Sequence, residues 1–128
     1  MTDSGKFGLI GVGTMGRGLT KNMNAAGIHV SVHDIDAGRL ADAEDLGASV
    51  VNGIGGVCAA SDIVGICMPS VASIRDVFEG PGGLLSEARE GQIIVDFSTS
   101  DPHLTRDLGA GAAERGATMI DAPMLPSC

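Results

Sequence analysis

Gly11-Val12-Gly13-Thr14-Met15-Gly16 follows directly on the apolar run Phe7-Gly8-Leu9-Ile10 and opens a segment, Thr14 to Ala26, with helical spacing. A strand that turns through three glycines into a helix is a narrow specification. In such a turn Gly11 permits the tight reversal, Gly13 lets a pyrophosphate approach the main chain, and Gly16 allows helix to lie close on strand. The free amides at the helix start then hold the phosphates. Gly11, Gly13, Thr14, Met15 and Gly16 are therefore the first candidate cofactor-binding residues. In a chain with 20 glycines, a merely flexible turn is the competing explanation.

Asp34 weighs against that explanation. It stands 18 residues after Gly16, at the end of the run His29-Val30-Ser31-Val32 with His33 between. A carboxylate placed there accepts the ribose hydroxyls of NAD and repels the 2′-phosphate of NADP. Arg39 lies well into the next predicted helix, so NAD is favoured over NADP. Asp34 also suits a helix N-cap, a role for which Asp36 competes. His33 reads as a half-exposed strand residue.

The rest of the chain repeats the alternation of short β-branched runs with helical segments. Helices are expected at Ala37 to Leu46, Gly55 to Ala60, Val71 to Phe78 and Pro102 to Arg115, with strands at Ser49 to Val51, Ile63 to Cys67, Ile93 to Phe97 and Thr118 to Asp121. Met15, Leu19, Met23 and Ala26 fall on one helix face and read as a core stripe. Strands with no polar alternation are covered on both faces. The fold class is thus α/β: a Rossmann-type doubly wound, mostly parallel sheet with helices on both faces.

At 128 residues the chain buries about two thirds of its unfolded surface, enough for a core without disulfide or structural metal. Eight Lys and Arg against 16 Asp and Glu leave a net charge of −8, which argues against a nucleic-acid partner and leaves an anionic ligand to be held mainly by backbone. Cys58, Cys67 and Cys128 form no C-x-x-C pair, so no metal site is expected. Cys58 and Cys67 read as small buried hydrophobes. Free thiols and the lack of a leader or of an apolar run near 20 residues suit a cytoplasmic protein with no membrane partner.

The chain resembles the β-hydroxyacid dehydrogenase family, which includes 3-hydroxyisobutyrate dehydrogenases and tartronate semialdehyde reductases. Four motifs carry the resemblance: Gly8 to Gly16, Cys67-Met68-Pro69-Ser70, Asp96-Phe97-Ser98-Thr99-Ser100-Asp101-Pro102, and Asp121-Ala122-Pro123-Met124. It implies that Met68 and Pro69 line the cofactor cleft and that Thr99 sits near the nicotinamide; capping of the helix at Pro102 is an alternative role for Ser98 and Thr99. The family's Asp-Ala-Pro-Val-Ser-Gly-Gly continues here with Leu125, Pro126 and Ser127 at its serine and glycine positions, so substrate contacts there lose a hydroxyl and an amide donor.

The resemblance further implies a second, helical domain that carries the catalytic lysine and supports a homo-oligomer. That lysine is expected past Cys128, which leaves residues 1–128 as one dinucleotide-binding domain with no catalytic residue of its own. Lys6 and Lys21 read as solvated surface. The expected function is the NAD-binding domain of an oxidoreductase that moves hydride between nicotinamide and a small β-hydroxy acid. The competing expectation is a non-catalytic dinucleotide-binding module or an inactive remnant. Methyl transfer from S-adenosylmethionine is disfavoured by Gly16 and the later motifs.

Overall fold

The computed structural model of the chain describes residues 6–98 and 102–122. Among these, strands and helices alternate as β1 (Phe7–Ile10), α1 (Thr14–Ala25), β2 (Val30–His33), α2 (Ala37–Asp45), β3 (Ser49–Val50), α3 (Gly53–Ala60) and β4 (Ile63–Ile66). The chain continues through α4 (Val71–Glu79), α5 (Leu84–Glu87), β5 (Ile93–Asp96), α6 (Pro102–Glu114) and β6 (Thr118–Asp121). Every pairing is parallel, and the strands lie in the order β3-β2-β1-β4-β5-β6. That is the Rossmann-type arrangement.

The chain lays down β1 to β3 in one direction and then returns past β1 to add β4 to β6 in the other. Right-handed crossovers running in opposite directions place their helices on opposite faces. One core accordingly joins Val57, Ile74, Phe78, Leu84 and Leu108 to the sheet through Ile66 and Ile94. The other packs Leu19, Met23, Leu40 and Ala43 on Leu9 and Val32. No residue of β5 or β6 belongs to the second core.

The expectation of helices on both faces therefore holds for only part of the sheet. Across the row Val32, Leu9, Gly65, Val95 and Ile120, set side by side by the strand register, burial declines from complete at Val32 and Leu9 to 46% exposure at Ile120. The helices α3 to α6 all serve the opposite face, so none of the described helices covers this flank.

The Met15 stripe is also corrected. Gly16 and Thr20 are the buried residues of α1, with Leu19 and Met23 partly buried, while Met15 is 38% exposed and Ala26 exposed. Lacking a Cβ, Gly16 presses its own flank of the helix onto the loop, where a methyl group would meet the Gly11 carbonyl oxygen. This turns Met15 outward. Thr20 Oγ1 donates to the Gly16 carbonyl at 2.8 Å, which satisfies a hydroxyl that the new face buries. No described helix is long and apolar enough to cross a membrane.

Candidate functional site

The strand order reverses between β1 and β4, and the crevice beyond their C-terminal ends is where such sheets bind ligands. Two adjoining hollows occupy it. The first is lined by Ile10, Gly11, Asp34, Ile35, Ile54 and Val77, and the second by Gly13, Thr14, Met15 and Gly16. Arg39, Cys67, Met68 and Pro69 line both. The structure thus brings together the glycine-loop residues, Asp34, Met68 and Pro69. Thr99, Leu125, Pro126 and Ser127 lie outside the described residues.

The three loop glycines have different physical reasons. Gly11 adopts φ +94°, and its amide donates to the His33 carbonyl at 2.9 Å; a side chain there would strike the Cys67 carbonyl and Met68 Sδ. Gly16 is fixed by its packing on Gly11. Gly13 is neither: its φ of −70° suits any residue, and a Cβ would meet only the Arg39 guanidinium, at 3.8 Å. Neither a positive φ nor a close contact calls for glycine at position 13, although glycine is a favourable residue at this helix N-cap. What a side chain would take there is the open space of the second hollow, the approach that a pyrophosphate requires.

No side chain caps α1 at Gly13, so the amides of its first turn are left for solvent or an anion. Helices α2 and α4 show the contrast, while α3 and α5 also begin without a side-chain cap. Asp36 caps α2 by accepting from the amides of Gly38 (2.8 Å) and Arg39 (3.2 Å), and Ser70 and Ser73 form a reciprocal capping box at α4. The cap role considered for Asp34 thus belongs to Asp36.

Asp34 is 8% exposed, and its carboxylate is bound into the loop. Oδ2 accepts from the Val12 amide and Oδ1 from the Asp36 amide, both at 2.9 Å. A carboxylate offers about four acceptor positions, so ribose hydroxyls still have room to donate. Arg39 Nη1 stands 3.9 Å from Oδ2. The placement of Arg39 corrects the sequence reading: with α2 beginning at Ala37, as expected, Arg39 is a first-turn residue and not well into the helix, and helical side chains tilt toward the N-terminus. An anion at this site therefore has a side-chain cation beside it as well as backbone. The signal was present in the spacing of Asp36 and Arg39, since a capping aspartate fixes where the first turn begins.

Ser98, at the end of β5, has a defined positioning role. Its hydroxyl accepts from the Met68 amide at 2.8 Å, and its own amide donates to Asp96 Oδ1 at 2.8 Å, so it ties the exit of β4 to that of β5. Cys67 beside it is no nucleophile: burial, reinforced by the Asp96 charge, pushes its thiol up to about 12. Cys58 is pushed to about 11 by burial and Glu87, against the opposing pull of Arg89. Cys58 is the small buried hydrophobe expected, whereas Cys67 is only partly buried and lines both hollows. Among the described residues no three His, Cys, Asp or Glu side chains gather to hold a metal.

Comparison with known proteins agrees with this geometry. The family model described as the NAD binding domain of 6-phosphogluconate dehydrogenase matches residues 6–125. The chain is 36% identical over 124 residues to 2-(hydroxymethyl)glutarate dehydrogenase of Eubacterium barkeri, covering 97% of this chain and 41% of that protein. It is 27% identical over 117 residues to human mitochondrial 3-hydroxyisobutyrate dehydrogenase, covering 91% and 35%. Among solved structures, Psf3 in complex with NADP+ and 2-OPP superposes with a TM-score of 0.90 at 29% identity, over 94% of this chain and 43% of that one. The chain spans less than half the length of these relatives. By its glycine loop, its strand order and its match over residues 6–125, the chain belongs to the NAD-binding domains of the 6-phosphogluconate dehydrogenase type, with 3-hydroxyisobutyrate dehydrogenase-like oxidoreductases as its relatives.

Proposed function

We propose that the chain binds NAD in preference to NADP and serves an oxidoreductase acting on a small β-hydroxy acid, the class named by its dehydrogenase relatives. Gly13 carries the proposal, because no close contact or positive φ calls for a glycine there and the approach of a dinucleotide does. The bound cofactor supplies hydride chemistry at its nicotinamide. The chain's own residues hold it: the first amides of α1 face the diphosphate, Asp34 accepts from the adenosine ribose, and Met68 and Pro69 wall the cleft. The preference for NAD rests on the Asp34 charge and on Ile35, 96% exposed beside it; the one cation within reach, Arg39, is already paired with that carboxylate at 3.9 Å.

Titration calorimetry tests both parts. NADH binds more tightly than NADPH, and Asp34→Asn, which keeps an oxygen for the Val12 amide, narrows the gap by about 1–3 kcal/mol. Gly13→Val abolishes binding of both cofactors and lowers stability by only about 1 kcal/mol, the cost of a poorer N-cap, because its Cβ meets nothing closer than the Arg39 guanidinium. Retained binding by Gly13→Val removes the proposal's support. Equal affinity for the two cofactors removes the preference.

A further inference from the structure

Building on the dinucleotide reading above, we infer that Arg39 binds the cofactor's 5′-diphosphate, exchanging Asp34 for phosphate oxygens when the cofactor enters. Three observations place it there. Arg39 lines both hollows, the one holding Asp34 and the one holding the glycine loop, and no other Lys or Arg lines either. Its guanidinium carbon lies 3.8 Å from where a Gly13 Cβ would sit, over the most open point of the loop. Its pairing with Asp34 is loose: at 3.9 Å it exceeds hydrogen-bond length, and the Arg39 side chain is 53% exposed.

The electrostatics ask for such a residue. A dinucleotide brings two negative charges to a chain of net charge −8, beside a buried carboxylate. The Val12 amide is already committed to that carboxylate, which leaves the loop one donor fewer. In the free protein Arg39 balances Asp34. When the ribose hydroxyls donate to Asp34, the guanidinium fork is released toward the phosphates, where two N–H groups can engage oxygen atoms together. The position over Gly13 favours the 5′-diphosphate, present in both NAD and NADP, over a 2′-phosphate that only NADP carries.

Arg39→Met tests this, with Arg39→Lys as the charge-retaining control and NADH, NADPH, ADP and adenosine as probes. The expected result is a loss of about tenfold for NADH, NADPH and ADP alike, no change for adenosine, and partial recovery with lysine. The loss shrinks in strong salt. A loss confined to NADPH overturns the inference in favour of a 2′-phosphate contact. A loss that includes adenosine overturns it in favour of an effect through Asp34, and unchanged binding of all four probes leaves Arg39 a surface ion pair. Failure of the unaltered chain to bind NADH or NADPH overturns the dinucleotide reading itself, a result distinct from all of these. Arg39 is largely solvated, so both variants are expected to melt within a few degrees of the parent.

Discussion

Gly8 sits in β1 where a methyl group would collide with the Ser61 hydroxyl and stand 2.5 Å from Val57 Cγ1. Gly8→Ala therefore overpacks the junction of β1 with α3 and costs about 1–3 kcal/mol, read as a fall in melting temperature. The Ser61 hydroxyl itself is buried without a hydrogen-bond partner. Removing an unsatisfied polar atom costs little, so Ser61→Ala is expected to leave the melting temperature unchanged or raise it. The glycine turn at the head of α1 was legible because a loop of fixed spacing follows an apolar run. Arg39 was not legible in that way: its place beside Asp34 depends on the tilt of a first-turn side chain, which a count of five residues conceals.

The elements most readable from sequence were those whose pattern is local. β1 and β6 have the bounds read from their apolar runs, and α2 begins where Asp36 caps it. Asp36→Ala is expected to destabilise the chain by about 1 kcal/mol in chemical denaturation, and to weaken cofactor binding by loosening the first turn that carries Arg39. The short helix α5 left no periodic trace because it is held from outside. Arg115 Nη2 donates to the Ser86 carbonyl at 2.7 Å and its Nε to that of Ala88 at 3.3 Å, from across the fold. Helix α3 starts at Gly53, ahead of the expected Gly55, in a glycine-rich stretch of poor intrinsic helicity. Packing outweighs propensity there: side chains at Gly55 and Gly56 would press on Glu87 and Val51.

At the scale of the whole molecule, alternation of strands and helices was enough to read the doubly wound topology, because right-handed crossovers leave few alternatives. It did not reveal that the described helices crowd one face beyond β4, since an apolar strand reads the same whether one side or both are covered. That asymmetry has a colloidal consequence. The flank ending in Ile120, which no described helix covers, is an apolar surface suited to self-association, while a net charge of −8 keeps molecules apart over a range of about 10 Å at 0.1 M salt. Static light scattering should then show repulsion between chains in dilute buffer giving way to attraction as salt is raised, with Ile120→Lys weakening the attraction although it lowers the charge that opposes it. A face that no described helix covers would thus make this chain's solubility a property of its solvent, set by how far its own negative charge can be felt.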